Sequence, residues 1–339
     1  MSTESPGTGL PETGSPGTGT RDAGLPDAGR LRTEPAACCI CGTRDSEPVG
    51  CGPDFEYRTS PDSFLSVECI QCGVVYLDPR PAASEFGRIY PDDYHAFRFT
   101  EAEFGIVYSV RRRLEARRLL RALHDLPQSA AVIDIGCGDG FHLDVLREYG
   151  PPSWQLVGVD VDPRAVAAAR RHQLVVHEGR LEDLDLPAES FDAALLIQTV
   201  EHLADPAALL RAGRRVLVPG GRILVVTDNT GSLDFRIAKR RHWGGYHFPR
   251  HWYLHNARSL GLLSARAGLD VEEIGTMMSP VNWVYSVRNA LDDWHAPRAV
   301  VNRFSLEAPV ALAAGTAFDS LHQLAGRGAL LRAILRRPR

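Results

Sequence analysis

The sequence predicts a doubly wound α/β fold with a mostly parallel sheet, a small metal-binding unit ahead of it and a helical insertion behind it. Three observations carry this. A buried strand runs into a glycine turn at AVIDIGCGDG (131–140), and apolar strands then alternate with amphipathic helices as far as residue 228. Two C-x-x-C pairs, Cys38/Cys41 and Cys69/Cys72, precede that alternation. The amphipathic stretches VNWVYSVRNALDDW and PVALAAGTAFDSLHQL fall within residues 280–327.

Residues 1–34 are rich in Gly, Pro, Ser and Thr, and SPGTG occurs twice, at 5–9 and 15–19. Such a segment buries too little apolar surface to offset the entropy of ordering, so a disordered tail is expected. The opening MSTESPGTGL lacks a basic stretch followed by an apolar one, and no run of 18 apolar residues exists. A cytoplasmic chain without a transmembrane segment is therefore expected. The net charge of −4 and pI near 6.3 give no general attraction to nucleic acid. The arginine clusters RRRLEARRLLR (111–121) and RIAKRR (236–241) read as solvated helix faces.

Residues 35–82 form the predicted metal unit. Six of the seven cysteines lie between residues 38 and 72, and in a chain with no export signal disulfides explain them poorly. Two C-x-x-C knuckles present four thiolates tetrahedrally to Zn²⁺, which supplies folding energy to a unit with little core. Cys38, Cys41, Cys69 and Cys72 are the expected ligands, with Cys39 and Cys51 as spare thiols. Four sulfurs close the coordination shell, so this zinc is expected to be structural. A helical lead-in covers 83–129, with one long helix over 101–124 (Phe104, Val107, Leu114, Leu119, Leu120, Leu123).

The core spans 130–279. Its glycine turn reads Gly136-x-Gly138-x-Gly140, and Phe141 stands where a dinucleotide fingerprint has glycine. The next strand, QLVGVD (155–160), ends in an acid 24 residues after Gly136. A carboxylate there is placed to accept both hydroxyls of an adenosyl ribose. Further strands are expected at LVVHEG (174–179), from Phe191 and at VPGGRILVVTD (218–228), with helices over 163–172 and 206–217 between them. ALLRAIL (329–335) is the expected final strand within a helical lid at 280–339.

These motifs resemble the class I S-adenosylmethionine-dependent methyltransferases, with their Rossmann-like sheet. VIDIGCGDG, VGVDVDP, SFDAALLIQTVEHLADP and VPGGRILVV carry the resemblance in order, over about residues 130–278. It implies that Gly136, Gly138, Gly140 and the backbone near Cys137 cradle the methionine part of the cofactor, with Asp134 close to its ammonium. Asp160 would hold the ribose. Where the family often has an acid this chain has Arg180, so adenine falls to the Leu181 backbone and Glu182. Gln198 would end the fourth strand beside the sulfonium, followed by Glu201 and His202. The CxxC…CxxCG segment with VVYLDPRP is similar to the zinc-binding lead-in of bacterial methyltransferases acting on small metabolites, nucleotide-sugar C-methyltransferases among them. Those sugar enzymes carry a further large C-terminal domain; no such domain is expected here, and their substrate is not carried over.

One segment remains, HWGGYHFPRHWYLH (242–255). Relatives often have a tryptophan ahead of Pro-Arg-His here, matched by Trp243, Pro249, Arg250 and His251. A metal site on His247, His251 and His255, a packed loop, and the wall of an acceptor pocket compete, and the pocket wall is favoured. Pro249 and the glycines break the helix that a metal site at that spacing needs. Histidine suits proton removal near neutral pH, and the order of preference for the base is His251, His247, His202. Tyr246 and Trp252 are expected to flank the acceptor.

The expected function is methylation of a small molecule at O, N or C. The alternatives are an RNA-directed methyltransferase using the zinc unit, and a cofactor-binding protein without turnover. TDNT (227–230) is unlike the proline-rich loop of base-amino methyltransferases, which argues against nucleic acid. The apolar faces beyond residue 280 leave peripheral contact with lipid or a homodimer as further possible partners.

Overall fold

The computed structural model describes residues 29–91, Tyr94 and 101–339. The expected disordered tail lies, up to residue 28, outside the described residues. The chain begins with β1 (Thr33–Glu34), β2 (Ser46–Pro53), β3 (Ser63–Cys69), β4 (Val75–Leu77), β5 (Arg80–Pro81) and the short helix α1 (Phe86–Ile89). Helix α2 (Glu101–Ala122) is interrupted at Gly105, whose φ of 48° leaves the helical region. The single long helix expected over 101–124 is therefore broken at the one residue type that adopts that φ without cost.

An alternating series follows: β6 (Ala131–Ile135), α3 (Phe141–Tyr149), β7 (Gln155–Asp160), α4 (Pro163–Arg171), β8 (Val175–Glu178), β9 (Phe191–Ile197), α5 (Pro206–Val216) and β10 (Leu217–Asp228). The chain ends with α6 (Leu233–Ala238), β11 (Tyr253–Leu254), α7 (Ala257–Arg266), β12 (Asp270–Met277), α8 (Pro280–Asp293), α9 (Arg298–Val301), α10 (Pro309–Leu324) and β13 (Leu330–Arg336). Proline at N1 with an aspartate cap starts α4 and α5, where Asp162 accepts from Arg164 N and Asp205 from Ala208 N. A reciprocal capping box between Asn256 and Ser259 starts α7.

Seven strands form the main sheet in the order β12-β13-β10-β9-β6-β7-β8. The pairs among β6 to β10 are parallel, and β13 runs antiparallel between β10 and β12. Strand order reverses at β6, flanked by β7 and β9, so a ligand crevice opens at the carboxyl ends there. Alternation along β10 divides the core. Ile223 and Val225 pack with Leu209 and Leu210 of α5 and Leu260 and Leu263 of α7. Leu224 and Val226 pack on the other face with Leu119 of α2 and Leu146 of α3. Helix α8 packs against α10. The buried Asp319 of α10 fixes the pair: it accepts from Ser279 N (2.8 Å), Trp283 Nε1 (3.0 Å) and Ala329 N (3.2 Å).

The cysteine region folds as a second sheet, ordered β11-β4-β3-β2. Its strand β11 comes from the histidine segment, pairing Tyr253 with Tyr76 and Leu254 with Val75. Residues 46–77 thus supply three of the four strands, and the fourth is added by chain that arrives about 180 residues later. Cys51 N also bonds Arg240 O (3.0 Å), and Asn256 Nδ2 bonds Gly73 O (2.9 Å).

Candidate active site

Gly136, Gly138 and Gly140 form the turn between β6 and α3. Gly138 has φ 56°, and a Cβ there would meet nothing within 4 Å, so the turn faces open crevice at this point. At Gly136 a Cβ would lie 2.6 Å from Thr199 Cγ2, which makes glycine obligatory where the turn packs on the end of β9. Asp160 staples the turn to β7: Oδ2 accepts from Gly138 N (2.8 Å) and Oδ1 from Asp162 N (2.9 Å). Each carboxylate oxygen can accept a second bond. Burial raises its proton affinity.

Beneath the turn, Asp134 is 1% exposed, and neither carboxylate oxygen has a hydrogen-bond partner among the described residues. Burial, then the charges of Asp160 and Asp139, push it up to about 8. A buried carboxyl with both oxygens unmet fits a cationic ammonium, which would meet its charge and its acceptors together. The residues present therefore suit the methionine end of the cofactor. Cys137 and Leu181 are buried. Glu182 Oε1 accepts from Arg180 Nη2 (3.2 Å), so the arginine that departs from the family pattern is held by its neighbour. Gln198 follows β9 with φ 52°, exposed at the crevice, and its N bonds Val226 O (2.8 Å).

Beyond Gln198 the three candidate bases converge. The rings of His202 and His251 have centroids 4.6 Å apart, His247 and His251 5.0 Å, and His202 and His247 6.5 Å. His202 sits in a 3-10 turn (Val200–His202), and its Nδ1 meets Arg250 O (3.2 Å) and the Tyr90 hydroxyl (2.9 Å). His251 Nδ1 meets Gly245 O (2.8 Å), with Asp228 Oδ2 3.4 Å away. A carbonyl only accepts, so His251 carries its proton on Nδ1 and keeps a lone pair on Nε2, whereas His202 Nδ1 faces both a carbonyl and a hydroxyl that can donate to it. Burial lowers both, His202 to about 4 and His251 well below the usual imidazole range, where the neighbouring imidazoles add to the effect. His247 has a carboxylate instead: Glu56 Oε2 lies 2.8 Å from its Nδ1, with the Tyr94 hydroxyl 3.4 Å from Nε2.

Buried acids surround the imidazoles. Glu201 is fully buried and burial pushes it up to about 8; Oε2 accepts from Thr227 Oγ1 (2.9 Å), while Oε1 has no partner among the described residues. Asp228, raised by burial to about 7, accepts from Asn282 Nδ2 of α8 (2.6 Å). Helix α8 also holds the turn before the histidines, through Ser286 Oγ to Gly244 N (2.9 Å).

Arg250 is not a free cation facing the crevice. It is 0% exposed, and its fork meets Asp54 Oδ1 (3.2 Å) and Oδ2 (2.8 Å), Ile89 O (2.6 Å) and Phe248 O (2.8 Å). Asp54 and Glu56, both from the loop between β2 and β3, thus reach the histidine segment from the cysteine region. Sequence gave no signal for them. An acid ending VPGGRILVVTD, as one ends QLVGVD, was a legible sign of Asp228. Tyr246 and Trp252 depart from expectation. Tyr246 is buried between Trp243 and Phe248 with its hydroxyl on Lys239 O (2.5 Å), and Trp252 lies against Phe86 beneath Arg80. The rings beside the histidines are Tyr90, Tyr94 and Tyr57. His255 lies apart from the trio: it bridges Asn229, and its Nδ1 is 3.4 Å from Ser259 Oγ. The spacing of four that suggested metal on His247, His251 and His255 therefore does not bring the three together.

At the other end of β4, the sulfurs of Cys38, Cys41, Cys69 and Cys72 converge within 4.8 Å. Ile40 N and Cys41 N point at Cys38 Sγ (3.4 and 3.5 Å), and Cys72 N at Cys69 Sγ (3.4 Å). Gly42 N and Gly73 N close the two knuckles on Cys38 O and Cys69 O, both at 2.9 Å. Cys39 and Cys51 are not part of the group.

A family model described as a methyltransferase domain matches residues 108–274. A ubiquinone biosynthesis O-methyltransferase of Cereibacter sphaeroides is 32% identical over 180 residues, 47% of this chain and 68% of that protein. A protein of the same description from Xanthomonas axonopodis pv. citri is 35% identical over 119 residues, 33% of this chain and 48% of its own length. A SAM-dependent methyltransferase structure from Archaeoglobus fulgidus is 19% identical with a TM-score of 0.47, covering 71% of this chain and 99% of that one. With the seven-stranded sheet and its glycine turn, the sequence likeness identifies the chain as a member of the class I S-adenosylmethionine-dependent methyltransferases. No helix among the described residues is long and apolar enough to cross a membrane.

Proposed function

We propose that the protein methylates a small molecule carrying a hydroxyl, with the acceptor seated against His202, His247 and His251. The convergence of these three rings just beyond Gln198 is the observation that carries the reading. The O-methyltransferase relatives support a hydroxyl acceptor. Asp134 would pair with the ammonium of the cofactor, the turn at Gly136–Gly140 would take its methionine backbone, Asp160 its ribose, and Leu181 with Glu182 its adenine. The cofactor supplies a methyl group already activated by a sulfonium. What the chain adds is alignment, a proton acceptor and exclusion of water; alignment alone can supply roughly 7–11 kcal/mol.

His247 is the best placed proton acceptor. A carboxylate at Nδ1 fixes the tautomer, leaves Nε2 unprotonated and steadies the imidazolium that forms. This moves the role from His251, which the sequence ranked first, because Glu56 is on His247. Four cysteine sulfurs with amides aimed at them support a structural Zn²⁺ at Cys38, Cys41, Cys69 and Cys72. Through β4, β11 and the Asp54–Arg250 pair, that ion would hold the histidine segment in place without touching the acceptor.

The test is a screen of small-molecule pools with cofactor labelled on its methyl group, phenols and other hydroxyl compounds included. Label in an O-methyl product supports the reading. Label recovered only in RNA, or in no acceptor despite tight cofactor binding, overturns it. The Asp134 role predicts a pH effect. A carboxyl raised to about 8 is mostly protonated at neutral pH and must lose its proton to pair with an ammonium. Affinity for S-adenosylhomocysteine is therefore expected to rise between pH 6 and pH 8, by at most about tenfold per unit, and to level off above. Calorimetry should find that slope abolished in Asp134→Asn; an equal slope in the variant would remove Asp134 from the ammonium.

A further inference from the structure

We propose that Glu201, His202 and His251 bind a divalent transition-metal ion of the Zn²⁺ class, distinct from the ion at the cysteines, which polarises the acceptor hydroxyl. The inference rests on reading the histidine cluster as the acceptor site. One ligand atom from each of the three residues lies within 4.8 Å of the other two. The set has two imidazoles and one carboxylate, a donor combination that first-row divalent ions favour and that leaves coordination positions open.

Two further observations point to a ligand. Glu201 is fully buried, yet its Oε1 meets no donor among the described residues, while Thr227 Oγ1 holds the other oxygen at 2.9 Å. Both histidines are also held from outside the cluster, as metal ligands commonly are: Gly245 O meets His251 Nδ1 (2.8 Å), and Arg250 O (3.2 Å) and the Tyr90 hydroxyl (2.9 Å) meet His202 Nδ1, which fixes each ring. Thr227, Arg250 and Gly245 would form the outer shell.

The location gives the ion a task. Glu201 lies two residues past Thr199, which packs on Gly136 of the glycine turn. A hydroxyl bound at an open position would be acidified, and its proton would pass to His247, whose ring centroid is 5.0 Å from that of His251. The freed oxygen pair forms the O–CH₃ bond as the C–S bond breaks, and that bonding pair remains on sulfur as the neutral thioether. No oxidant or reductant is required.

The test uses the full-length protein with zinc at its cysteines. Titration with Co²⁺ is expected to show one further equivalent per chain, with the weak visible bands of nitrogen and oxygen ligation and without strong sulfur charge-transfer bands. Glu201→Gln and His251→Ala are expected to weaken that binding at least about 100-fold, with zinc content and affinity for S-adenosylhomocysteine unchanged; two variants guard against one that fails to fold. No cobalt uptake by wild type, or equal uptake by both variants, overturns the site. Uptake as expected with methyl transfer indifferent to it overturns the polarising role alone. Methyl transfer to a hydroxyl without any metal uptake would leave the proposed function standing and end this inference.

Discussion

His247→Asn is expected to leave S-adenosylhomocysteine binding within about twofold of wild type and to lower methyl transfer by about 10²–10⁴-fold, the range a positioned base supplies. Asparagine suits the site: His247 has φ 40°, a left-handed conformation that asparagine tolerates and most residues do not. The glycine turn, Asp134 and Asp160 belong to β6, β7 and the turn after β6, away from the segment that carries His247, so cofactor binding has no reason to change. Single-turnover rates across pH separate a base from a packing residue. Loss of the base should remove the acidic limb of the wild-type profile, and Glu56→Gln should give part of the same loss by freeing the ring. Equal activity in His247→Asn would return the segment to a packed loop.

Asp54→Asn is expected to cost about 3–5 kcal/mol of stability, the range for breaking a buried ion pair from one side. Both side chains of the Asp54–Arg250 pair are 0% exposed, and Arg250 would be left buried with its charge uncompensated. Asp54 also accepts from Tyr57 N (3.0 Å), Thr59 N (3.1 Å) and Thr59 Oγ1 (2.8 Å), so the loop carrying Glu56 would loosen with it. Burial alone would raise this carboxyl, but Arg250 and the amides outweigh it and hold it below the usual range. A depressed carboxyl contributes stability above its unfolded value, near 3.9, and loses it as pH falls through the native one. The gap between wild type and variant in denaturant midpoint should accordingly be full at neutral pH and shrink in acid. An unchanged midpoint at neutral pH would mean the pair is not a support of the fold.

Much of the sheet was legible in the sequence because its signals are local. A buried strand, a glycine turn and an acid 24 residues on lie within one β-α-β unit, and each strand announces itself by an unbroken apolar run. The cysteine knuckles were legible for the same reason: ligand spacing and a following glycine are adjacent features. The histidine segment stood out by composition, but composition does not say which rings face a pocket. Tyr246 and Trp252 are as aromatic as Tyr90 and Tyr94; packing against Trp243, Phe248 and Phe86 decided which pair was spent on the core.

The sequence by itself determined the doubly wound sheet, the cofactor turn and the two cysteine pairs, since these depend on periodicity and short spacing. Only the tertiary structure decided that β11 completes the cysteine sheet, that Arg250 is consumed by Asp54, and that Glu56 rather than a near neighbour in sequence holds His247. Those contacts join residues separated by about 180 to 200 positions. No local pattern encodes such a pairing; it follows from how two sheets close on each other and which buried charges must then find partners.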